Sequence, residues 1–126
     1  MPLTQIDMRS GKPADYKRAV MESLHAALRE TFDVPEDDRF MMLTEHDENT
    51  FWFGRTYLGI ERSNDLIVIQ ITVSNTRGIE KKKALFKCVA DRLAASPGVR
   101  REDVFINLLE VAKENWSFGN GEAQYA

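Results

Sequence analysis

The chain repeats itself, and that repetition limits its architecture more than any other feature. Sliding the second half over the first by 65 positions, without a gap, sets Ile6 on Ile71, Ala19 on Ala84, Val20 on Leu85, Leu24 on Val89 and Leu28 on Leu93. The match continues through the following loop, with Val34 on Val99, Asp38 on Asp103, Phe40 on Phe105, Leu43 on Leu108 and Glu45 on Glu110. Two related units must adopt the same local structure and pack on each other. The whole chain has 126 residues, enough for one domain with one core. The duplication therefore lies inside a single domain, 1–126, with pseudo-repeats at 2–47 and 66–112, a connecting hairpin segment at 48–65 and a C-terminal segment at 113–126.

Each unit reads as strand, helix, strand. Leu3 to Met8 has a strand pattern, broken by Gly11 and Pro13 before a helix that begins near Ala14 or Asp15. The stripe Tyr16, Val20, Leu24, Leu28 and Phe32, with Ala19 and Ala27 beside it, recurs every four residues and is suited to covering a sheet. Val34 to Asp38 ends the helix, and Arg39 to Thr44 returns as a strand. In the second unit Leu66 to Val73 is a branched-aliphatic run, a helix with the stripe Leu85, Val89, Leu93 follows Gly78, and Val104 to Val111 closes the unit. Such connections make parallel pairs with right-handed crossovers. The expected fold is α/β (α+β), a tandem βαβ repeat forming a four-stranded mixed sheet with two helices on one face. Ile67, Ile69 and Ile71 alternate with Leu66, Val68 and Val73, which predicts apolar surface on both sides of the sheet and an oligomer to cover the second. Phe51-Trp52-Phe53 and Tyr57-Leu58-Gly59-Ile60 suggest a short hairpin around Gly54.

Composition closes off several functions. Apolar residues make up 43% and charged residues 29%, as in ordinary water-soluble domains, and no apolar run nears the roughly 18 residues of a membrane span. No signal-peptide pattern precedes Pro2, and the lone Cys88 in a helical pattern suits a reducing, cytoplasmic setting. A net charge of −3 argues against a nucleic-acid partner, and Lys81-Lys82-Lys83 reads as the solvated side of a helix. His25 and His46 lack companions at metal-ligand spacing, so each reads as a packed or solvated side chain and no metal is expected. No Gly-rich phosphate loop follows a strand, Gly119-Asn120-Gly121 is a turn signal without a following helix, and no nucleophile motif surrounds Ser74 or Ser117. Neither a nucleotide nor any other cofactor is expected.

Pro2 is the most informative functional residue. A small residue after Met1 favours removal of the methionine, which would leave Pro2 as a secondary amine able to carry or accept a proton. The ordinary alternative is a proline opening a strand, where its missing N–H costs nothing.

Together, Pro2, the duplicated units, Pro35-Glu36-Asp37-Asp38-Arg39-Phe40, Leu58-Gly59-Ile60-Glu61-Arg62-Ser63 and the closing Trp116-Ser117-Phe118-Gly119-Asn120-Gly121 give a chain that resembles the tautomerase superfamily, nearest its malonate semialdehyde decarboxylase-like branch. The resemblance covers nearly the whole chain. It implies a homotrimer whose pockets have the terminal proline at their floor and walls shared between subunits. Carried across residue by residue, it implies Pro2 as the catalytic amine and Asp38 as the assisting carboxylate. In place of two arginines flanking one residue it finds Asn75 and Arg77, so a single cation remains to grip a substrate carboxylate. It also implies a hydrophobic wall of Trp116, Phe118 and Tyr125.

Physical argument runs alongside the resemblance. An approximate twofold axis would lay the first strand antiparallel to the third and bring Pro2 to Ser74–Arg77. A guanidinium suits a carboxylate, and with burial it lowers the pKa of a nearby amine, while Asp38 raises it. A neutral Pro2 favours tautomerase or isomerase chemistry on a small 2-oxo or enol carboxylic acid. A protonated Pro2 favours lyase chemistry, either decarboxylation of a 3-oxo acid or hydration of an unsaturated acid. The loss of one arginine at Asn75 ranks isomerisation first. A third reading is a non-catalytic oligomeric binding protein that keeps the fold, which retention of Met1 would support, since an acylated Pro2 has no titrating amine.

Overall fold

The computed structural model describes all residues, Met1–Ala126. Strand β1 (Pro2–Arg9) leads to helix α1 (Ala14–Phe32) and strand β2 (Met41–His46); a small ribbon of β3 (Thr56–Tyr57) and β4 (Ile60–Glu61) follows, and then β5 (Ile67–Ser74), α2 (Ile79–Ala95) and β6 (Val104–Val111). The main sheet has the order β2-β1-β5-β6. Within each repeat the strands are parallel, and the two repeats meet at the antiparallel pair β1·β5. The architecture is the tandem βαβ arrangement that the repeat requires.

Both helices lie on one face because their stripes and alternate strand residues form one core. Val20, Leu24, Leu28, Leu85, Val89 and Leu93 are fully buried against Ile6, Ile67, Ile69 and Ile71; Phe32, Val34 and Val73 extend the cluster to the sheet end that bears Pro2, and Val99 extends it to the other. Truncating one such leucine to alanine costs about 2–5 kcal/mol. Helix α1 stops where Asp33 takes a left-handed conformation (φ 56°) and returns its backbone N–H to the Leu28 carbonyl. The Pro35–Asp38 turn follows immediately, so the helix end fixes the position of Asp38.

Three sequence expectations need correction. Val73 lies with Ile67, Ile69 and Ile71 on the helix-covered face, not with Val68 on the other, because side chains alternate with period two. The outer face is mixed: Phe105, Leu109, Leu3, Phe40 and Met42 are exposed, but the register also runs a polar row through Gln5, Gln70 and Asn107. The small ribbon turns at Leu58-Gly59, both with positive φ, rather than at Gly54; the Phe51-Trp52-Phe53 run stays outside it, with Phe51 buried and Trp52 exposed.

The residues given packing roles have them. Half-buried Cys88 donates its S–H to Glu30 at 3.2 Å, and burial, then Glu30, push its pKa up, away from a reactive thiolate. His46 pairs with Asp7 at 2.6 Å. The lysine run faces outward, Lys81 to Asp33 and Lys82 to Glu110. No helix is long and apolar enough to cross a membrane.

Candidate active site

The antiparallel register places Pro2 opposite Val73, so the first residue of β1 lies beside the last residues of β5. Pro2 is buried there. The C-terminal segment crosses the same end: after β6 a short 3-10 turn, Lys113–Asn115, delivers Trp116, whose indole N–H donates to the Ser74 hydroxyl at 3.1 Å. Phe118 stacks on Trp116 (centroids 5.4 Å apart, 17° between planes), and Tyr125 packs edge-on behind Phe118 at 4.8 Å. Gln124 fastens this tail by accepting from the Phe118 N–H and donating to the Gly119 carbonyl, each at 2.9 Å. Between the strand end and this aromatic wall lies a cavity of about 400 Å³, lined chiefly by Met1, Pro2, Phe40, Asn115, Trp116 and Phe118. That volume suits a small organic acid.

The charged groups lie next to the Met1 end of the cavity. The Met1 amine is 3.9 Å from an Asp38 carboxylate oxygen. Burial is the main influence on the amine and lowers its pKa; Asp38 opposes this and Arg77 adds to the lowering. Burial likewise raises the Asp38 pKa, outweighing the amine's opposite pull. The other Asp38 oxygen, Oδ1, is buried without a partner. Amine and acid are both pushed toward their neutral forms, the condition in which a proton moves between nearby sites at least cost.

Arg77 stands slightly apart. One guanidinium nitrogen donates to the Phe32 carbonyl at 2.7 Å, and its plane lies over the Phe32 ring, 4.7 Å from the centroid. It therefore caps the C-terminus of α1 while its charge still reaches the Met1 amine and Asp38. Asn75 is exposed, tied to the Val111 carbonyl by its backbone N–H. Of the predicted site residues, Asp38, Asn75, Arg77 and Tyr125 do not line the cavity of this protomer, although Asp38 reaches the Met1 amine that does. Conversely, sequence reasoning overlooked Phe40, Asn115 and the role of Ser74 in seating Trp116. Phe40 carried one signal, its match to Phe105 in the repeat; a hydroxyl that holds an indole has none.

The duplication supplies an internal control. At the opposite end of the sheet, Ile67 stands where Pro2 does, Asp103 where Asp38 does, Lys12 where Arg77 does, and Phe51 and Phe53 where Trp116 and Phe118 do. There the charges are spent on each other. Asp103 is fully buried and accepts from the Ser63 N–H, the Ser63 hydroxyl and Arg100, and Lys12 pairs with Asp65 at 3.0 Å. Ile67 is internal to the chain and has no amine. Only the Pro2 end combines a terminal amine, a carboxylate oxygen without a partner and a walled cavity.

Comparison with known proteins gives the class. Residues 38–119 match one tautomerase enzyme family and residues 2–60 match another. The chain belongs to the tautomerase superfamily. It is 40% identical over 124 residues to the probable tautomerase YusQ of Bacillus subtilis (strain 168), covering 98% of each chain. It is 34% identical to the probable tautomerase YrdN of the same organism, over 99% of this chain and 96% of that one. Among solved structures, FG41 malonate semialdehyde decarboxylase inhibited by 3-bromopropiolate superposes with a TM-score of 0.91 at 37% identity, covering 98% of this chain and 93% of that one.

Proposed function

We propose that this protein is a cofactor-independent tautomerase in which Pro2, freed by removal of Met1, moves a proton on a small 2-oxo or enol carboxylic acid. One observation carries the reading: Pro2 and the Met1 that precedes it line an aromatic-walled cavity, and the Met1 amine is 3.9 Å from Asp38. In this scheme the neutral Pro2 nitrogen takes a proton from the carbon beside the substrate carbonyl, electrons shift to the carbonyl oxygen, and the proton returns at the other end of the enol system. Asp38 holds or relays the proton. Burial, with Arg77 adding to it, keeps the amine's pKa low, and the remaining N–H groups of Arg77 offer a carboxylate grip; Asn75 lies two residues before it. Trp116 and Phe118 exclude water and face the apolar part of the substrate, with Tyr125 bracing Phe118. The probable tautomerases at 40% and 34% identity support the reaction class.

The reading includes a homotrimer, because exposed Leu3, Phe40, Met42, Phe105 and Leu109 leave the outer sheet face without cover in one protomer. It places the protein in the cytoplasm.

The likeness to a malonate semialdehyde decarboxylase favours a second reading, decarboxylation of a 3-oxo acid or hydration of an unsaturated one. Assaying the Met1-free protein against keto and enol forms of aryl and alkyl 2-oxo acids, with 3-oxo acids alongside, separates the two. The first reading expects isomerisation to exceed decarboxylation, and Asn75→Arg to shift the ratio toward decarboxylation by adding a second carboxylate contact. Strong decarboxylation by the natural protein with no gain in Asn75→Arg would reverse the ranking. Inactivity toward all of these acids, with Met1 retained, would favour a non-catalytic binding protein.

A further inference from the structure

His25 is buried in α1, 3% exposed, yet it belongs to neither the core cluster nor the cavity wall. Its Nε2 lies 2.9 Å from the carbonyl oxygen of Glu36, in the turn that carries Asp38. A carbonyl only accepts, so Nε2 must bear the hydrogen, and this fixes the tautomer of the neutral ring. Its Nδ1 is then a lone pair, buried and without a partner, as is Oδ1 of Asp38 two residues beyond Glu36. Within the turn, the backbone bond from the Asp38 N–H to the Pro35 carbonyl sets local shape but does not anchor the turn to the helix. Backbone bonds from the Val34 N–H to the Leu28 carbonyl and from the Thr4 N–H to the Phe40 carbonyl hold the flanks of the turn, and the His25 bond is the side-chain tie from the helix to its middle, the segment that sets the carboxylate's distance from the N-terminal amine.

We infer that His25 is a positioning residue for Asp38: by donating to the Glu36 carbonyl it holds the Pro35–Asp38 turn so that the carboxyl group stays beside the N-terminal amine. The inference rests on the reading of Asp38 as part of the proton-transfer site. A packing role alone predicts a different outcome, because a leucine of similar bulk would serve the core but not the carbonyl. Glutamine can present an amide N–H near the position of Nε2, whereas the shorter asparagine cannot reach it.

The test compares His25→Leu, His25→Gln and His25→Asn in the full chain, in both the natural and the Asp38→Asn background. It follows keto–enol conversion of an aryl 2-oxo acid and titrates the Asp38 carboxyl by carbon-13 NMR. His25→Leu and His25→Asn should lower kcat by roughly 10- to 10²-fold, the scale of a displacement of about 1 Å, with KM little changed. They should also move the Asp38 pKa away from its parent value, because the burial of the turn that raises it and the nearby His25 that opposes the rise both change. His25→Gln should restore most of both quantities. Adding His25→Leu to Asp38→Asn should cause little further loss. Parent-like kcat and parent-like Asp38 titration in folded His25→Asn or His25→Leu would overturn the inference, as would an equal loss in the Asp38→Asn background. If His25→Leu fails to fold, the glutamine and asparagine variants decide alone. Should Asp38→Asn retain full activity, the catalytic reading of Asp38 fails, and the NMR titration still decides whether His25 positions the carboxyl.

Discussion

Arg77→Ala should cost this protein both stability and substrate discrimination, and the structure allows the first to be sized. The guanidinium donates to the Phe32 carbonyl at 2.7 Å and lies 4.7 Å over the Phe32 ring at the end of α1. A hydrogen bond from a charged group contributes about 1.5–3 kcal/mol, and because Arg77 is only half-buried the lower end applies. The cation over the ring adds about 0.5–1 kcal/mol at such a site and the helix terminus about 0.3 kcal/mol after screening. The total is about 2–3 kcal/mol. At roughly 2 cal/mol/K of unfolding entropy per residue, a chain of 126 residues shifts about 4 °C per kcal/mol, so the Tm should fall by about 8–12 °C. Scanning calorimetry with Arg77→Lys as companion checks this; lysine keeps the charge but not the planar fork, and should recover less than half. Turnover of 2-oxo acids should then fall further than turnover of their amides. An Arg77→Ala protein that melts with the parent would refute the assignment of this residue to the helix end. Equal losses for acids and amides would refute its grip on the carboxylate.

Two further perturbations follow from the same geometry. Asp38 binds its proton more tightly in the folded chain than in the unfolded one, because burial raises its pKa, so its contribution to stability is lost as pH rises through the window from the ordinary carboxylate value to the raised one. Asp38→Asn should therefore melt higher than the parent at neutral pH, with the difference vanishing in acid, while proton-transfer activity falls by about 10²–10⁴-fold; denaturant titrations at both pH values read the first and turnover the second. Leu109→Lys, on the exposed outer sheet face, should shift the protein toward monomers in sedimentation velocity, whereas an unchanged sedimentation coefficient would show that this face is not the contact between subunits.

The fold was legible in the chain because a gapless repeat and two stripes of apolar residues leave few ways to pack, and the antiparallel pairing that brings the start of β1 to the end of β5 follows from the pseudo-twofold relation. Boundaries slipped where local signals competed. Gly54 looked like the turn, but Leu58-Gly59 supplies the positive φ that the ribbon needs. Val73 was assigned to the wrong face because a nearly continuous aliphatic strand gives no contrast between its sides. Pro2, Asp38, Trp116 and Phe118 could be named in advance, since their residue types and places match a resemblance. The second job of Arg77 at the α1 terminus, the hydroxyl of Ser74 beneath the indole and the His25 tie to Glu36 could not, because each joins positions far apart in sequence through a single polar contact that leaves no periodic trace.

The account depends on a titrating secondary amine at Pro2. A nitrogen-15 titration of that amine in the Met1-free protein, set against the pH profile of kcat/KM for a 2-oxo acid, tests it most directly. Burial chiefly lowers the pKa of the Met1 amine, with Asp38 opposing and Arg77 adding; the same surroundings one residue further in predict a Pro2 amine pKa below the ordinary N-terminal value, and a rate that rises with pH through that pKa as the base form appears. Undiminished activity in a chain whose mass shows Met1 retained and whose Pro2 nitrogen does not titrate would contradict it.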